Sequence, residues 1–132
     1  MSRKLIRQAA ADRFDLVKEI GLKLHDVKVA VRYDGSPVLK AAGVFMAGIA
    51  TDESAEADSL VVRCDLDDRD LLLEDAPEIY YVTDFYERHP VVLGRMALLD
   101  DDALRDLLSM SHALAVEKSG RRRRDKPPVI TP

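Results

Sequence analysis

Apolar residues change their spacing several times along the chain, and each change marks an element. Ala10, Phe14, Val17, Gly21 and Leu24 recur at helical spacing, and Leu16 and Ile20 widen the stripe. Asp12, Arg13, Asp15, Lys18, Glu19 and Lys23 fill the opposite side, so an amphipathic helix is predicted over residues 10–24. At Val27 the period falls to two: in "VKVAVRY" the apolar Val27, Val29, Val31 and Tyr33 alternate with Lys28, Ala30 and Arg32, as in a half-buried strand. "DGSP" at 34–37 is a turn, because Gly35 accepts a positive φ and Pro37 has no N–H for a strand ladder. "VLKAAGVFMAGIA" predicts two strands joined tightly at Ala42-Gly43, which sets Lys40 opposite Phe45. "TDESAEAD" at 51–58 is a polar loop.

"SLVVRCDLDDRDLLLED" then combines both periods. Leu60, Val62 and Cys64 share one face of a strand, and Val61, Arg63 and Asp65 share the other. After Asp65 the spacing becomes helical through Leu66, Leu71, Leu72 and Leu73, with Asp67 or Asp68 expected as the N-terminal cap and "AP" at 76–77 as the stop. A short strand is predicted over 79–83, a loop over 84–90 and a strand over 91–99. "DDDALRDLLSMSHALAVEK" forms the last helix, with Asp100, Asp101 and Asp102 at its positive end and Leu104, Leu107, Leu108, Ser111 and Ala115 on its buried face. This order predicts an α+β fold with a mostly antiparallel sheet flanked by helices. The expected core comprises Phe14, Val17, Leu24, Val31, Phe45, Ile49, Leu60, Val62, Leu72, Val92, Leu104, Leu108 and Leu114.

With 132 residues the chain has room for one domain, expected over 1–118, followed at 119–132 by a basic, proline-containing tail predicted to be disordered. Charge divides at the same boundary. Residues 1–118 hold 15 basic and 23 acidic residues, a net −8, while the tail sets five basic residues against one acid, a net +4. The single cysteine allows no internal disulfide, which suits a reducing cytoplasm. The N-terminal stretch lacks the apolar core of a secretory signal, and no apolar run approaches bilayer length, so no membrane partner is expected.

No residue pattern points to catalysis. Cys64 has no CxxC partner and reads as a buried, inert thiol. The aspartate run does not fit a calcium loop, because Arg69 takes the fifth position and no loop glycine follows. His25, His89 and His112 are dispersed, and neither a nucleophile elbow nor a phosphate-cradling glycine loop is present. The expectation is therefore a protein with no catalytic residue, no cofactor and no metal. Cations offer more. Arg32, Lys40, Arg63 and Arg95 lie mid-strand, and Arg88 and His89 lie in the aromatic loop "DFYERHP", whose Phe85 and Tyr86 are expected to tuck under the sheet. On neighbouring strands these cations would form an anion-binding face; otherwise each pairs with a carboxylate or snorkels, Lys40 being the clearest snorkelling case. Arg121, Arg122, Arg123 and Arg124 form a second basic group, in the tail.

At "VLKAAGVFMAGI", "LVVRCDLDDRDLLLEDAPEIYYVTDFYERHPVVLGRM" and "LRDLLSMSHALAVEK" the chain resembles the MmcQ/YjbR family. The matching positions are Lys40, Gly43 and Phe45, then Leu60, Arg63, Cys64 and Asp65, then Tyr81, Thr83, Tyr86, His89, Pro90 and Arg95, and finally Leu104 to Lys118. The resemblance covers about residues 12–118 in the right order. It implies a double-wing α+β arrangement, seen also in a DNA-binding domain of a phage transcription factor, and it carries a DNA-binding label. Two functions follow as expectations. One is DNA binding through weak, non-specific phosphate contacts, with the tail supplying most of the affinity. The other is a protein-interaction module, adaptor-like or chaperone-like, that binds no nucleic acid.

Overall fold

The computed structural model describes residues 13–125, with side chains described through Arg121. The first helix, α1, covers residues 13–21 of the described chain and buries Phe14, Val17 and Ile20, the stripe that its spacing predicts. Strands β1 (Val27–Val31), β2 (Pro37–Ala41), β3 (Val44–Ile49) and β4 (Ser59–Arg63) follow. Helix α2 (Leu66–Asp75), the two-residue strand β5 (Tyr80–Tyr81), the single turn α3 (Asp84–Glu87) and strand β6 (Val91–Arg95) come next. A 3₁₀ turn at Met96–Leu98 leads into α4 (Asp101–Asp125). All six strands join one antiparallel sheet in the order β1-β2-β3-β4-β6-β5, so the molecule is α+β with helices flanking an antiparallel sheet.

The tight turn at Ala42-Gly43 has both residues at positive φ, +50° and +79°, the twist that a two-residue hairpin requires. It sets Lys40 opposite Phe45 and Ala41 opposite Val44, as the sequence predicts. Past that point the register shifts between Leu39 and Lys40, which leaves Met46 without a partner on β2. At this bulge Met46 and Ala47 both enter the same core.

Two apolar clusters lie on opposite faces of the sheet. The larger packs α1 and α4 against Leu39, Met46, Leu60, Val62, Cys64 and Val92. Leu104, Leu107, Leu108, Ser111 and Ala115 are all buried, the face predicted for the last helix, and Ser111 Oγ donates to the Met46 carbonyl at 2.9 Å. The smaller cluster joins Val61, Tyr86, Val91 and Leu93 under α3 and the 50–58 loop.

Several expectations change. Val31 is 69% exposed, because α4 lies across β2, β3 and β4 and the outer strand β1 reaches past it. Leu24, Phe45, Ile49, Leu72 and Leu114 are only partly buried. Asp65, rather than Asp67 or Asp68, caps α2: its extended backbone puts its carboxylate in front of the first turn, where it accepts from the Asp67 N–H at 3.3 Å. Asp67 and Asp68 lie inside that turn, against the positive end of the helix. The loop expected over 84–90 contains α3, capped by Thr83. The strand expected to reach residue 99 stops at Arg95, where the Met96 N–H turns to the Asp58 carbonyl. The last helix passes Lys118 and runs to Asp125, so Ser119–Asp125 is helical rather than tail. Ser119 holds this extension to the sheet by donating to the Ala42 carbonyl at 3.1 Å.

Candidate functional site

Strand parity decides which cations share a face. Lys28 stands opposite Lys40, and Lys40 stands opposite Phe45, so all three project from the face that bears the smaller cluster. Two like charges directly across a strand pair disfavour the pairing. Neither lysine has a salt-bridge partner among the described residues.

Beside these lysines a concavity of about 590 Å³ opens between β3, β4, β6 and α3. Arg32 and Arg63 contribute to its wall, and Lys118 reaches it from α4. Arg32 is set by its own contacts: Nη1 donates to the Ile49 carbonyl at 2.6 Å and to Ser36 Oγ at 3.1 Å. Gly48 makes room for it, since a Cβ there would come within 2.9 Å of the Arg32 Nη2. Arg63 is likewise aimed by the backbone, its Nε donating to the Phe45 carbonyl at 2.7 Å. The carboxylate among the lining residues is that of Asp52, and it accepts from the Ser54 N–H at 2.9 Å.

Four aromatic rings line the same concavity: Tyr33, Phe45, Phe85 and Tyr86. Tyr86 is buried as expected, and its hydroxyl accepts from the Asp52 N–H at 3.1 Å. Phe85 does not tuck under the sheet. It is half exposed, in edge contact with Tyr86 at a centroid distance of 5.0 Å and tilted against His89 at 5.9 Å.

Arg69, which the sequence offers only as a misfit in an acidic run, holds this wall in place. Its guanidinium is buried and Nη1 donates to the carbonyls of Glu87, His89 and Val91 at 3.3, 3.0 and 3.2 Å. It thereby ties α2 to the turn that carries Phe85 and His89. A signal for Arg69 was visible only as a lone cation among aspartates; its target carbonyls lie 18 to 22 residues away.

The expected site residues divide. Arg63 and His89 meet in the concavity, and Lys40 lies on the same face. Lys40 is exposed. Arg95 is committed elsewhere: it grips both carboxylate oxygens of Glu56 at 2.6 and 3.1 Å, stacks over Tyr81 at 4.4 Å and donates to the Pro77 and Glu78 carbonyls. That hydrogen bond holds the Glu56 carboxyl below its usual range. Arg88 is exposed at the end of α3, outside the concavity. Arg121 pairs with Glu117 one helical turn away. The side chains of Arg122, Arg123 and Arg124 lie outside the described residues. Lys28, Arg32, Lys118 and Tyr33 complete the face; only Arg32 among them stood out in the sequence as a cation of interest.

Cys64 is fully buried on the opposite, larger-core face, and its thiol is pushed up to about 12, first by burial and then by the nearby Asp68 and Asp65 charges. It takes no part in the cationic face. Among the described residues no helix is long and apolar enough to cross a membrane, and no cluster of His, Cys, Asp and Glu is placed to hold a metal ion. Comparison with protein-family models, with curated proteins and with solved structures finds no match to the chain.

Proposed function

We propose that this is a cytoplasmic nucleic-acid-binding protein with no catalytic activity, and that its binding surface is the cationic and aromatic face of the sheet. One observation carries the reading: Arg32 and Arg63 line a ring-walled concavity, and Lys28 and Lys40 project from the same face of the sheet, in a body whose net charge is −8. A local concentration of one sign against the molecule's overall charge is what steering a polyanion requires. The lysine pair across β1 and β2 disfavours the sheet, and a phosphate between the two ammonium groups would turn that repulsion into attraction. The resemblance to the MmcQ/YjbR family supports the same reading, and with it we propose the double-wing arrangement.

The test is a mobility-shift titration at two salt concentrations. Lys28→Gln combined with Lys40→Gln should weaken binding and flatten the salt dependence, by about 0.7 to 0.9 in log–log slope for each phosphate no longer neutralised. Replacing Arg122, Arg123 and Arg124 with alanine should weaken it less. The face is the wrong site if the lysine variant binds as the parent does while the arginine variant loses binding. No binding at low salt overturns the function itself.

A second reading, a protein-interaction module, draws on the far end of β1. Val29 and Val31 are exposed on the end strand of the sheet, where a partner strand could add. Val31→Lys should abolish such a contact; unchanged partner capture by that variant would exclude this edge.

A further inference from the structure

Building on the nucleic-acid reading, we propose that the concavity takes a single strand and that the Phe85 ring stacks on one of its bases. The sequence holds seven aromatic side chains, and four of them line this one concavity. Two of the four stay open to solvent: Phe85 is 50% exposed and Tyr33 fully so. Rings left in water forgo apolar burial.

Phe85 is held ready. Its edge contact with buried Tyr86, the Tyr86 hydroxyl bond to the Asp52 N–H, and the Arg69 clamp on the Glu87 and His89 carbonyls together fix the turn that presents it. A ring already ordered loses little entropy when a base settles on it. Arg32 and Arg63 line the same concavity, so a backbone phosphate and a stacked base can be met together, the combination by which single strands are held without reading their sequence.

Shape separates strand from duplex. B-DNA hides the faces of its bases in the stack and shows only their edges, in grooves that an inserted helix or two-stranded ribbon reads. A ring-lined hollow of about 590 Å³ inserts nothing, and only an unstacked base can meet its rings face to face.

Fluorescence anisotropy of the full chain tests this with two probes, a labelled oligo-dT strand and a labelled duplex of equal length. The strand should bind more tightly than the duplex. Phe85→Ala should lose roughly 5- to 150-fold in strand affinity, the range expected for one stacked base, and Phe85→Tyr should retain it. Equal affinity for the two probes, or a Phe85→Ala variant that binds the strand as the parent does, overturns the single-strand inference and leaves the nucleic-acid reading standing. If neither probe binds even at low salt, both fall together.

Discussion

The thiol of Cys64 shows burial, more than any neighbouring charge, setting a residue's chemistry. Its ordinary value of 9.0 rises to about 12, so at a given pH it is about 1000-fold poorer in thiolate than a free cysteine. It should resist thiol-disulfide reagents in the folded protein at mildly alkaline pH and react readily in urea; a labelling time course in each condition checks this. The unfolded thiol titrates first, so this group's contribution to stability is full below about pH 9 and falls as pH rises toward 12. Arg69 makes the complementary point, since its importance comes from three backbone carbonyls rather than from a charge partner. Arg69→Met should cost about 2–3 kcal/mol in urea denaturation, the range for charge-assisted hydrogen bonds into a buried site. Amide exchange should quicken locally around residues 87–91. Unchanged exchange there would mean that another contact holds the turn.

Among the elements, the β2–β3 hairpin and α4 hold the fold for different reasons. The hairpin turn runs through Ala42 at φ +50°, a conformation that penalises a side chain other than Asn, Asp or Gly. Ala42→Asn creates the Asn-Gly pair that this turn favours and should stabilise the protein by about 0.5–1 kcal/mol, read as a higher midpoint in urea. The substitution keeps the backbone carbonyl that accepts from Ser119, so the seat of the last helix is undisturbed. In α4 the stability comes from packing. Leu108 is fully buried between the helix and the sheet, and Leu108→Ala should cost about 2–5 kcal/mol by the same measurement.

For the whole molecule, one sheet carries a core on each face. Strand β4 gives Leu60 and Val62 to the larger cluster and Val61 to the smaller, and β6 divides Val92 from Val91 and Leu93 in the same way. Neither core can be lost while the sheet between them stands. With Tyr80 of the larger core replaced by Phe, the buried tyrosine signal comes from Tyr81 and Tyr86 at the smaller core, and it and far-ultraviolet circular dichroism should therefore give coincident unfolding curves. Leu108→Ala, on the other face, should move both by the same amount. A tyrosine transition that precedes the loss of strand signal would show the smaller core opening alone.

What the sequence determined by itself is what depends on near neighbours. Helical spacing marked the buried face of α4 residue by residue, period-two spacing marked β4, and the Ala42-Gly43 turn predicted the Lys40–Phe45 register, because such patterns are written within one or two turns of chain. The failures belong to tertiary structure. Val31 has the pattern of a core residue, but its burial depended on how far α4 extends over the sheet. The cap of α2 fell to Asp65 because of the backbone angle on leaving β4, which four nearby aspartates leave open. The cationic face was legible in part: Arg32, Lys40 and Arg63 stood out as mid-strand cations that neighbouring strands could gather, whereas Lys118 lies far along the chain in α4, and only the tertiary fold brings it to the concavity that Arg32 and Arg63 line. Arg69 was hidden most completely, since the sequence offered it only as a misfit in an acidic run, and only the return of residues 87–91 to α2 supplied the carbonyls that keep it buried.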